Sequence, residues 1–225
     1  MFDWLNNIDT HLFLSLNGMH SPFFDAFFTL FTSMETWFPL YILFLIIIFK
    51  KYRQQGVWIL LFFILTIVLS DQLSGLIKDT VQRFRPSQEP LLAGKVNVPS
   101  GQGGLYGFVS GHAANSFALT FLLGFLSRNR KLFSILFFWS IVICYSRIYV
   151  GVHYPLDVIC GGTLGALIGW SMYKLLIYFD WRFQQKSIKK AGAWKQTEIF
   201  PIEIALLFIV VTLLIAAKII VKHYA

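Results

Sequence analysis

Apolar residues recur along the chain in runs long enough to cross hydrocarbon, which takes about 20 residues of helix. The runs cover residues 37–49 (extending back towards Phe31), 57–77, 108–126, 132–150 and 156–177, with a further run at 202–220 after a polar stretch. Residues 2–16 mix Phe, Trp and Leu with Asp and Asn and are too polar to cross comfortably. They predict an interfacial helix, followed by a break at Ser21-Pro22. Residues 23–32 form either a separate short helix or the first turns of the first span. The pattern predicts an all-α, polytopic membrane helical bundle with five to six transmembrane helices and an interfacial N-terminal helix.

Composition agrees with that reading. The hydrophobic fraction is 56% and the charged fraction 13%, where a soluble domain carries roughly a quarter charged residues. Cys144 and Cys160 both sit in apolar runs and read as buried small side chains, with no disulfide framework. The first twenty residues hold neither Lys or Arg nor a long apolar core, which argues against a cleaved signal peptide.

The net charge of +8 invites a nucleic-acid reading until the bases are placed. Lys50, Lys51 and Arg53 lie between the first two runs, and Arg128, Arg130 and Lys131 between the third and fourth. Lys174, Arg182, Lys186, Lys189, Lys190 and Lys195 lie at the end of the fifth and beyond it. If the helices alternate, these twelve of the 19 basic residues share one side, which the positive-inside rule places in the cytoplasm. A nucleic-acid partner then loses most of its support.

The opposite side gathers polar groups at the ends of four runs, and a charge at membrane depth is costly unless it is paired or lines a polar cavity. Three blocks contribute. Lys78 and Arg85 are separated by six residues ahead of Pro86; Ser110-Gly111-His112 follows Val109; and Ser146-Arg147 precedes His153, with Asp157 beyond it. In order and spacing the blocks resemble the three-part signature of the type 2 phosphatidic acid phosphatase superfamily, which also includes bacterial acid phosphatases and vanadium haloperoxidases. The resemblance runs from Lys78 to Asp157, about a third of the chain. The family's second block begins with proline where this chain has Val109, a departure that touches the entry to the helix rather than a reacting side chain.

The resemblance implies a metal-independent phosphatase: His153 as nucleophile, His112 as general acid, Asp157 as partner of His153, and Lys78, Arg85, Ser110, Gly111 and Arg147 as a phosphate cradle. The chemistry of the residues agrees. Two Arg offer planar forks and Lys a mobile point charge. Ser110 can add a hydroxyl, and the Gly111 N–H can approach an anion without a side chain in the way. A helix starting near Ser110 would turn its free N–H groups on the same anion. Pro155 lies between His153 and Asp157, so His153 is expected just before a helix and Asp157 in its first turn.

Taken singly, His112 could be a packed histidine, while Lys78 and Arg85 could snorkel to headgroups; Arg83, outside the matched spacing, keeps the snorkelling reading. Asp71 either pairs with a base or serves helix packing, and Glu203 reads as interfacial. No acid cluster suits a hard cation, and neither cofactor nor metal is expected. The expected partners are a membrane lipid phosphate and the bilayer. A multi-pass protein of the cytoplasmic (inner) membrane would hydrolyse such a lipid at its outer face, the site towards the periplasm or cell exterior. Family usage suggests undecaprenyl diphosphate, with lipid A, phosphatidylglycerophosphate or phosphatidate as alternatives. An anion channel or a non-catalytic headgroup binder is the competing class. One membrane domain would cover 1–225, with the motif-bearing core at about 57–177 and an extra C-terminal transmembrane helix at about 202–220.

Overall fold

The structure is a computed structural model and describes residues 3–183 and 187–224. Phe2 and Lys186, included in the sequence-based readings above, lie outside the described residues. Helix α1 (Asp3–Asn17) is followed by α2 (Pro22–Thr32). Ser21 caps α2, its hydroxyl accepting from the Phe24 N–H at 3.4 Å, and Pro22 opens the helix. Residues 23–32 are therefore a helix of their own. Then come α3 (Phe38–Tyr52), α4 (Gly56–Val81), α5 (Gly111–Ser127), α6 (Arg130–Tyr149), α7 (Pro155–Phe183), the short α8 (Ser187–Lys190) and α9 (Gln196–Tyr224).

Among the described residues, four segments are long and apolar enough to cross a membrane: Glu35–Val81, Arg130–Tyr149, Pro155–Phe183 and Gln196–His223. The expected five to six transmembrane helices are thus corrected to four. Two features account for the difference. The runs at 37–49 and 57–77 fall in one helical stretch of 47 residues, its two α-helices joined through a 3-10 turn at Arg53–Gln55. The run at 108–126 becomes a helix only from Gly111, and its 17 residues extend about 25 Å against a hydrocarbon core of about 30 Å.

That short helix, α5, is the centre of the bundle, packed among α4, α6 and α7. Its closest neighbour is α7, where Gly161, Gly165 and Gly169 recur every four residues. A Cβ on Gly165 or Gly169 would run into the carbonyl oxygens of Ala114 and Ala118, and one on Gly161 into the Ser110 carbonyl. The small-residue stripe lets the two backbones touch. It also fixes the start of α5 against the start of α7, and the candidate site is built at these two starts. At the other end of the molecule the basic connections meet. Lys51 pairs with Glu198 at 2.9 Å, Lys131 with Glu203 at 2.6 Å, and Arg128 donates to the Lys189 carbonyl at 3.2 Å.

Candidate active site

Each motif block is aimed by a local stop in the backbone. Lys78 lies in the last turn of α4, which ends when Gln82 takes a left-handed conformation (φ 52°) and returns its N–H to the Lys78 carbonyl at 2.9 Å. The chain leaves extended and pairs with a later segment through an antiparallel bridge between Phe84 and Tyr106. Arg85 N–H donates to the Leu105 carbonyl at 3.1 Å and Gly107 N–H to the Arg83 carbonyl at 2.8 Å. Alternation along an extended segment turns Arg83 and Arg85 away from Phe84, and the Arg85 Nε–H is held by the Tyr106 carbonyl at 3.1 Å.

Ser110 is the N-cap of α5, its hydroxyl accepting from the Ala113 N–H at 3.4 Å, so Gly111 and His112 occupy the first turn. Arg147 lies in the last turn of α6, where its Nη1 donates to the Thr32 hydroxyl at 2.7 Å. His153 follows that helix, and α7 begins at Pro155 with Asp157 in its first turn. The two helix starts are joined directly, since the Ser110 N–H donates to the Asp157 backbone carbonyl at 2.9 Å.

Lys78, Arg85, Gly111, His112, Arg147 and His153 line one cavity of about 430 Å³. Its remaining wall includes Trp37, Tyr41, Ile67 and Val68 from α3, α4 and the turn before them, so a cationic end meets an aromatic and aliphatic one. Ser110 and Asp157 are fully buried behind the wall. Asp71, left open by the sequence, lines the cavity beside Lys78. Glu203, by contrast, is at the far end, paired with Lys131.

His153 is 2% exposed, and its Nδ1 stands 3.5 Å from Asp157 Oδ2. Burial pushes the imidazole well below its ordinary value, and the Arg147, Arg85 and Lys78 charges push it the same way. The ring is therefore neutral near pH 7, with a free lone pair available as a nucleophile. Gly107 lets the loop close over this pair: a Cβ there would come within 3.0 Å of Asp157 Oδ2. Among the described residues no three His, Cys, Asp or Glu side chains are grouped to hold a metal ion.

Two residues outside the expected site are part of its frame. Arg83 donates from Nη1 to Asp157 Oδ1 at 2.8 Å and from Nη2 to Asp9 Oδ2 at 2.7 Å. Its guanidinium lies 4.1 Å from the centroid of the Tyr154 ring. The headgroup-facing Arg83 expected from sequence is thereby corrected: its charge is claimed by two carboxylates.

The comparisons with known proteins bear on the same residues. A family model described as the PAP2 superfamily matches residues 56–182, which contain all three blocks. The chain belongs to the PAP2 superfamily. Lipid A 4'-phosphatase of Bacteroides thetaiotaomicron is 37% identical over 205 residues, covering 88% of this chain and 91% of that protein. Lipid A 4'-phosphatase of Porphyromonas gingivalis is 36% identical over 181 residues, covering 78% and 76%. The crystal structure of Aquifex aeolicus LpxE matches with a TM-score of 0.58 and 32% identity, covering 73% of this chain and 94% of that one. This PAP2 protein is a lipid phosphate hydrolase, multi-pass in the inner membrane.

Proposed function

We propose that this PAP2 protein removes a phosphomonoester from lipid A, the 4'-phosphate in the first instance, through a phosphohistidine intermediate on His153. The observation that carries the catalytic part is the cavity itself: Lys78, Arg85, Arg147 and the start of α5 face the neutral His153 ring across it. The phosphate's non-bridging oxygens take donors from Lys78, Arg85, Arg147 and the Gly111 backbone. Ser110 assists by capping α5, which keeps the N-terminal N–H groups directed at the anion.

With Nδ1 turned to Asp157, Nε2 of His153 attacks phosphorus, forming the N–P bond as the bond to the sugar oxygen breaks. Burial, with the Arg147, Arg85 and Lys78 charges, pushes the His112 pKa down to about 3, so its ring takes up a proton together with the phosphate dianion. It gives that proton to the sugar oxygen, and the dephosphorylated lipid leaves. A water then attacks the phosphohistidine while His112 takes its proton, breaking the N–P bond and releasing inorganic phosphate. Asp157 holds the ring orientation and balances its positive charge in both steps, as carboxylates do beside other reacting histidines. The 3.5 Å separation of the free site shortens to a hydrogen bond once the phosphate is seated.

The lipid A assignment is supported by identity of 37% and 36% to two lipid A 4'-phosphatases, the first over nearly its whole length. The aromatic and aliphatic half of the cavity suits a headgroup whose acyl chains stay in the bilayer. The basic connections at the opposite end support a cavity open to the outer face, by the positive-inside rule. Initial rates on bisphosphorylated lipid A, undecaprenyl diphosphate, phosphatidylglycerophosphate and phosphatidate in one detergent test the assignment. Lipid A should give the highest kcat/KM and lose one phosphate. A tenfold preference for undecaprenyl diphosphate would overturn the lipid assignment and leave the chemistry standing.

A further inference from the structure

Helix α1 buries one stripe and exposes another. Asp9, Phe13 and Asn17, spaced by four, are 4%, 0% and 1% exposed, whereas Trp4, Ile8 and Leu12 are 65%, 52% and 47% exposed. Every member of the buried stripe touches a segment that carries the site. Asp9 accepts from Arg83 at 2.7 Å and, through its other oxygen, from the Leu156 N–H at 2.9 Å. Phe13 stands edge-on to Tyr154, with centroids 5.4 Å apart, next in sequence to His153. Asn17 donates to the carbonyls of Asn97 and Tyr149 at 2.9 and 2.7 Å and accepts from the Asn97 N–H at 2.8 Å. A carboxylate as buried as Asp157 is costly without a partner, and Arg83 at 2.8 Å is that partner. Arg83 in turn holds its place between two acids and over a ring. Tyr154 N–H takes the other Asp157 oxygen at 3.0 Å, leaving the carboxylate one orientation towards His153.

We infer that Arg83 and Asp9 are positioning residues of the reaction, a relay by which α1 holds Asp157 ionised and aimed at His153. The inference rests on the reading of His153 as nucleophile. Neither residue lines the cavity, so neither binds the phosphate. Their effect belongs to the chemical steps and to kcat, with the anion cradle left intact. Because Asp9 acts through Arg83, removing both should be no worse than removing Arg83 alone.

The test compares wild type, R83Q, R83K, D9N, D9N/R83Q and H153A as purified full-length protein, on lipid A bisphosphate in mixed micelles. Inorganic phosphate serves as competitive inhibitor. R83Q should lose kcat by about a hundredfold, less than the roughly ten-thousandfold lost when a histidine's carboxylate partner is itself disabled. KM and the phosphate inhibition constant should stay within about threefold of wild type. R83K should recover roughly a tenth of wild-type kcat by restoring charge without the fork. D9N should fall about tenfold and the double variant should match R83Q. Full kcat in R83Q or D9N, multiplying losses in the double variant, or a loss of phosphate binding equal to the loss of kcat would overturn the inference. If R83Q does not fold, R83K with D9N and their double carries the same comparison. H153A separates the two failures: activity in H153A removes the proposed nucleophile, whereas inactive H153A beside fully active R83Q and D9N removes only the relay.

Discussion

At the scale of single residues the proposed chemistry needs a neutral His153 imidazole among cations. Burial and three neighbouring positive charges depress His153, so its neutral form persists to lower pH than an ordinary histidine's. In histidine-labelled protein, the His153 ring nitrogens should show no protonation as the pH falls through 6.5; a titration centred there would contradict the arrangement. Lys78, Arg85, Gly111, His112, Arg147 and His153 were legible because their types and spacings are local, whereas cavity residues such as Trp37 and Tyr41 carry no motif. Arg83 and Asp9 were not legible, since Arg83 meets Asp9 and Asp157 across 74 residues of chain on either side. Two signals were nevertheless present. Arg83 alternates with Phe84 and Arg85 in an extended segment, and Asp9 falls on the same helical stripe as Phe13. A lone acid on an otherwise packed face needs a base.

At the scale of elements the contact that matters most is α5 on α7. Replacing Gly165 with Ala would press a methyl into the Ala114 carbonyl, with backbone on both sides and no side chain free to yield. This overpacking should cost about 1–3 kcal/mol. Because it moves the start of α5, activity should fall before the protein unfolds. Gly75, on α4 with open space around its Cα, is the control: Ala there should leave melting unchanged or raise stability by up to about 1 kcal/mol. Thermal melts in detergent decide, and equal behaviour of the two variants would contradict the packing account. Hydropathy found the helices because apolar length is a local property. It overcounted the crossings because it registers neither where a helix begins nor whether two runs share one helical stretch. The loop up to Ser110 is set by tertiary contacts such as the Ser110 N–H on the Asp157 carbonyl, and the turn at Arg53 by a positive φ at that residue.

At the scale of the whole molecule, one end gathers the basic connections and the other the cavity. With both free cysteines, Cys144 and Cys160, replaced, a single cysteine at Ser100 should react with an impermeant reagent added outside. One at Asn129, whose side chain donates to the Trp194 carbonyl at the basic end, should react only after the membrane is opened. Labelling of Asn129 from outside would invert the orientation. The central claim is covalent: the cavity exists to seat a phosphate against His153. Rapid acid-free quenching of wild type during turnover of lipid A labelled in its phosphate, followed by peptide mapping, tests it most directly. The account predicts a base-stable, acid-labile phosphate on His153, absent from H153A. Steady turnover with no labelled peptide, or with label on another residue, would contradict it.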